Sequence, residues 1–144
     1  MSARRIELER LVDAPPDRAY RMWSDPDTLS QWLSYQVQGS LSPGARSVLV
    51  FPRQRIEVDV LEAEPNRHFK VRWLHANGTD LVTEVTVSIE ARGWGSLVSL
   101  ADGPYDTDIP DVLDEYARAI AIWASGLAQL RASVDYSIDL RKER

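Results

Sequence analysis

The chain has no cysteine and only two histidines, two methionines and two phenylalanines among its 144 residues. Without cysteine there is no disulfide framework, no thiolate metal site and no cysteine nucleophile. That absence suits a reducing cytoplasm, the compartment expected here. Nowhere do about 18 apolar residues run together, so no membrane-spanning helix is expected. The opening "MSARRIELER" carries a charge every few residues and lacks the apolar stretch of a secretory signal. Positive charge is in deficit too, with a net charge of −5 and a pI near 5.0. Nucleic acid demands a concentrated cationic face, so no such partner is expected, and the tail "LRKER" is too short to supply one. There is no Gly-rich phosphate loop, no HExxH and no GxSxG, and the histidines lack metal-ligand partners at fixed spacing. No metal or cofactor is expected, and no catalytic residue is assigned.

What is present is the composition of an ordinary globular domain, 44% hydrophobic and 27% charged. The length is that of one domain spanning residues 1–144, with no repeat, linker or low-complexity tract. "RRIELERLVDA" alternates as a strand and slips near Arg10–Leu11–Val12, which predicts a bulge there. Two short helices follow. The paired prolines of "APPDRAYRMW" suit a helix entry, and in "SDPDTLSQWL" Asp25 caps while Pro26 takes the first helical position. Then come about six strands in succession, joined by short turns at "SPGA", a Pro-Asn pair, "HANGT" and "RGWG". Closely connected strands form an antiparallel meander.

The last third changes period. Tyr116, Ile120, Trp123, Leu127, Leu130 and Val134 recur at helical spacing and predict one long amphipathic helix. Asp111, after Pro110, reads as its N-cap. The fold class is therefore α+β, a curved antiparallel sheet of six to seven strands wrapped around a long C-terminal helix. The short helices prop one end open, which predicts a hollow between sheet and helix.

Three stretches, "IELERLVDAPPDRAYRMWSDPDTLSQWL" (6–33), "GSLVSLADG" (95–103) and "IWASGLAQLRASVDYSIDLR" (122–141), carry a family resemblance. Together they resemble the START-like helix-grip (SRPBCC) superfamily, most closely the branch related to the C-terminal domain of the Hsp90-ATPase activator. The resemblance covers nearly the whole chain. It implies a cavity whose contents are lipids, polyketides, hormones or other apolar molecules in some members. Other members catalyse cyclisation or dehydration, and one branch stimulates a chaperone. These 144 residues hold no counterpart of the further N-terminal domain of the eukaryotic activator, so a chaperone partner is expected least. A homodimer stays open.

The first expectation is a small-molecule binding protein with a largely apolar internal cavity; the second is a cyclase- or dehydratase-type enzyme in the same cavity. Alternation places Phe51, Val58, Val85, Val98 and Leu100 on inward strand faces, and the helical stripe brings Tyr116, Ile120 and Trp123 against them. Trp73 lies inward on "FKVRWLH", and Trp32 sits on the second short helix. Trp23 reads as packing between the short helices, and Trp94, in a turn, as surface. His75 ends the buried face of "FKVRWLH". Either it meets a ligand as hydrogen-bonding or acid–base group, or it sits partly in water beside the Asn77-Gly78 turn.

Asp102 ends "SLVSLAD" in the inward phase, where the resemblance leads one to expect a histidine. An inward carboxylate must be hydrated or paired. A His75–Asp102 pair at the cavity mouth is one arrangement that meets this need. "DGPYDTDIPDVLDE" (102–115) holds six carboxylates and no basic side chain. Ile109-Pro110 breaks the spacing of a calcium loop, so a solvated loop feeding a helix N-terminus is expected. Tyr105 in this loop is expected to hang over the cavity as a lid.

Overall fold

A computed structural model describes residues 3–75 and 80–143. Strand β1 (Ala3–Val12) leads into helices α1 (Pro16–Ser24) and α2 (Pro26–Leu29). Six strands follow: β2 (Gln36–Gln38), β3 (Arg46–Val50), β4 (Arg55–Glu64), β5 (His68–Leu74), β6 (Val82–Arg92) and β7 (Gly95–Asp106). Helix α3 (Pro110–Tyr136) and a short 3-10 turn (Leu140–Glu143) close the chain. The strands form one antiparallel sheet in the order β1-β7-β6-β5-β4-β3-β2. The meander runs in sequence from β2 to β7, and β1 joins at the β7 edge.

Local chemistry explains the boundaries. Asp25 terminates α1 and caps α2, its carboxylate accepting from the Asp27 amide at 3.1 Å. Gly93, at φ +57°, makes the tight β6–β7 turn and leaves Trp94 96% exposed at the tip, a surface residue as expected. The Asn77-Gly78 turn lies outside the described residues. Two local expectations fail. The irregularity in β1 falls between Arg4 and Ile6, whereas the ladder to β7 runs unbroken through Arg10–Val12. The N-cap of α3 is Ile109 without a side-chain bond; Pro110 holds the first turn and Asp111 lies inside it, where the helix dipole favours its charge.

Alternation on each strand delivers one apolar face to α3. On β5, Phe69, Val71 and Trp73 are buried in step, and on β7 so are Val98 and Leu100. The core is built around aromatic rings. Trp23 stacks edge-on against Trp32 at 4.5 Å, lies 6.2 Å from Trp123, and Trp123 in turn meets Trp73 at 5.0 Å. Each such ring removes roughly 150–250 Å2 from water, so this row dominates the burial between sheet and helices. Gly126 lets α3 come close to it, since a Cβ there would lie 3.3 Å from a Leu33 methyl. Among the described residues no helix is long and apolar enough to cross a membrane.

Candidate functional site

The hollow expected between sheet and helix is almost filled by this aromatic row. What remains is an apolar cavity of about 30 Å3, lined among others by Trp23, Leu33, Val58, Trp73, Val85 and Trp123. That is room for about one water molecule. Trp73 and Trp123 also line a second small hollow of about 20 Å3, together with Ile56, Ala119 and Ile122 and the polar side chains of Gln54, His75, Glu115 and Arg118. One hollow is lined by apolar residues alone and the other by residues of both kinds, and the two indole rings line both.

The polar side is a buried hydrogen-bond network. His75 follows the last residue of β5, its side chain only 3% exposed. Its Nδ1 lies 2.9 Å from Glu115 Oε2, and its Nε2 lies 3.0 Å from the Thr83 hydroxyl on β6. Glu115 also accepts from Arg118 Nε at 2.8 Å. A carboxylate held by a guanidinium is an acceptor, so the imidazole donates to it from Nδ1, while Nε2 stands within hydrogen-bond distance of the Thr83 hydroxyl. Glu115 is thus a buried anion met by a cation and an N–H, the condition under which such burial is tolerated.

Asp102 is the second buried carboxylate, 1% exposed. The Tyr105 phenol donates to its Oδ2 at 2.6 Å and the Trp123 indole N–H donates to the same oxygen at 3.0 Å. Its Oδ1 is buried without a hydrogen-bond partner. Burial, then the neighbouring Asp102 charge, push the Tyr105 phenol well above the usual tyrosine range. The phenol oxygen also lies 3.4 Å from His75 Nε2. His75 and Asp102 therefore make no direct pair; Tyr105 stands between them.

Several expected placements need correction. His75 is buried and hydrogen-bonded on both ring nitrogens, where partial solvation beside a turn had been the alternative. Tyr105 belongs to β7 and is fully buried, so it is no lid. Ile120 faces out, 37% exposed, because the inward stripe of α3 begins Glu115, Ala119, Trp123. The apolar pattern was read one residue late over two turns, since a glutamate is not counted as an inward residue. For the same reason the acidic run at 102–115 is not wholly solvated: Asp102 and Glu115 at its two ends are buried. Trp23 packs edge-on against Trp32, as expected of it, and also lines the apolar cavity.

The other sequence-selected residues divide by location. Val58, Trp73, Val85 and Trp123 line the apolar cavity. Trp32 and Phe51 line an outer groove of about 280 Å3 between α3 and the β3–β4 turn. Val98 and Leu100 are buried in the core of β7, and Tyr116 is half-buried, its ring 5.3 Å from that of Tyr105. Glu115, Thr83 and Arg118 were missed altogether. Glu115 and Arg118 share the helical spacing that links 115, 119 and 123 to Trp123, which is the one trace of them in the sequence.

A curved antiparallel sheet gripping a C-terminal helix is a helix-grip fold. The chain belongs to the family described as Activator of Hsp90 ATPase homolog 1-like protein, whose model matches residues 13–135. Among solved structures it is similar to protein MLL2253 from Mesorhizobium loti, with a TM-score of 0.82 and 22% identity over 94% of this chain and 99% of that one. DynU16, from the dynemicin biosynthetic locus, aligns with a TM-score of 0.78 and 18% identity over 94% of this chain and 48% of that one. The Aha1 dimer from Colwellia psychrerythraea gives a TM-score of 0.78 and 18% identity, covering 92% and 97%. No curated protein matches the chain.

Proposed function

We propose that this protein binds a small, largely apolar molecule of the lipid or polyketide class between its sheet and α3. The observation that carries this reading is the junction at Trp73 and Trp123, where an apolar cavity and a polar hollow share a wall. An apolar pocket with a few convergent polar groups is the usual form of a ligand site. Burying His75, Asp102 and Glu115 in a core is costly unless each is paired. Because about 30 Å3 is far below the size of any such ligand, binding requires the tryptophan row to part. The cytoplasm is the compartment proposed.

The test is thermal stabilisation by a lipid and polyketide library, read together with tryptophan emission. A binder raises the melting temperature and shifts the emission, since the rings that move are indoles. A protein unmoved in both readouts by every compound would refute the reading.

The His75–Glu115 hydrogen bond favours a second reading, a cyclase- or dehydratase-type enzyme in the same space. An imidazole oriented by a carboxylate is an acid–base arrangement. Replacing His75 and Asp102 together, with the fold retained, abolishes turnover of the bound compound on this reading; unchanged turnover removes it.

A further inference from the structure

We propose that the ligand is an uncharged amphiphile, with an apolar body and a neutral hydrogen-bonding head such as a hydroxyl, carbonyl or amide. The body replaces the space of the apolar cavity, and the head sits in the hollow formed by Gln54, His75, Glu115 and Arg118. The inference rests on the reading of the cavity as a ligand site and adds the chemistry of what enters it.

The orientation follows from the shared wall. A molecule that displaces Trp73 or Trp123 from the apolar side emerges against the polar hollow on the other. The first cavity is lined by aliphatic and aromatic residues alone. Of the two, the second hollow alone has polar groups in its lining, and the Arg118 side chain beside it is 51% exposed. An amphiphile placed the other way round would bury its head among Val58, Val85 and Trp23, with nothing to bond to.

Charge selects the head. The hollow holds one guanidinium and one carboxylate, already bonded to each other at 2.8 Å, so its charges cancel. A carboxylate head seeking Arg118 meets Glu115, and an ammonium head seeking Glu115 meets Arg118. Each would be desolvated beside a like charge, a costly arrangement in a partly buried site. A neutral head avoids that cost.

Three probes with one body test this: 2-naphthalenemethanol, 2-naphthoate and 2-naphthylmethylammonium, titrated at pH 7 by calorimetry, with naphthalene as the headless reference. The alcohol is expected to bind about tenfold or more tighter than either charged probe. Glu115→Gln frees the guanidinium of its anion and is expected to raise naphthoate affinity relative to the alcohol. Arg118→Gln is expected to raise that of the ammonium probe instead. Should Glu115→Gln fail to fold, the half-exposed Arg118 position carries the charge swap alone. Equal affinities for all three heads, or a ranking unmoved by the substitutions, overturn the proposal while leaving the ligand site standing. Failure of all four compounds to bind overturns the ligand site as well.

Discussion

His75 Nδ1 and Glu115 Oε2 meet at 2.9 Å, 40 residues apart in sequence, with both side chains almost wholly removed from water. The contact ties the end of β5 to the first turns of α3. Taking away either partner leaves the other buried with one hydrogen bond fewer, Glu115 still held by Arg118 and His75 by Thr83, which is worse than taking away both. His75→Leu and Glu115→Leu should each lower the unfolding free energy by about 3 kcal/mol. The double variant should cost less than their sum by roughly 1–3 kcal/mol. A urea-denaturation double-mutant cycle reads the coupling; strict additivity means that the pair is not coupled.

Tyr105 supplies a pH prediction. Burial and the Asp102 charge raise its pKa in the folded state, while an unfolded tyrosine ionises near about 10. Below that value both states hold the proton and stability is unaffected by it. Above it the unfolded chain releases the proton first, so stability falls as pH rises. Absorbance at 295 nm should therefore show no ionisation of Tyr105 until the protein unfolds. Tyr105→Phe should leave the native alkaline titration unchanged and remove one tyrosine from the amplitude released on unfolding.

Trp73 is the wall between the two hollows. Trp73→Ala should cost about 3–5 kcal/mol, as large-to-small core substitutions of aromatic residues do. The space created should take up naphthalene, which then restores part of the lost melting temperature. A variant that loses stability but gains nothing from naphthalene would show that the core collapses into the gap.

Arg141 fastens the C-terminal segment. Its guanidinium donates to the carbonyls of Ser34 at 2.7 Å, Gln31 at 2.8 Å and Ser30 at 3.1 Å, and lies 4.8 Å from the centre of the Tyr35 ring. These carbonyls follow α2 and have few other donors within reach of the helix end. Arg141→Ala should lower stability by about 2 kcal/mol and speed amide exchange at residues 30–35. Arg141→Lys, a point charge without the planar fork, should recover less than half of the loss. Unchanged exchange in the alanine variant would contradict the fastening.

The strands were legible in the sequence because each buries one face. Ile56, Val58 and Val60 on β4 and Val85, Val87 and Ile89 on β6 alternate with polar neighbours, and the structure buries all six. The short helices announced themselves through Pro16, Asp25 and Pro26. The start of α3 did not. Hydrophobic periodicity locates a helix face by its apolar residues, so a face that begins with Glu115 and Ala119 loses to the more apolar Tyr116 and Ile120 beside it. A buried acid becomes visible only when its partners are known, and His75, Thr83 and Asp102 reach the same place from three different strands or strand ends. Sequence order held the members of the network without the distances among them.

The order of strands also sets a constraint in time. β1 is made first, yet its only neighbour in the sheet is β7, the last strand made. The Ser96 hydroxyl even bonds the Ala14 carbonyl 82 residues before it. A growing chain therefore carries an unpaired strand edge through most of its synthesis, a template for pairing with other chains. Contacts this distant in sequence also slow folding. Pairing of β1 with β7 gives each of them a partner and leaves β1 and β2 as the outer strands of the sheet, so a ribosome-bound chain halted before residue 95, with β1 unpaired, should be more prone to aggregate than one halted after residue 106.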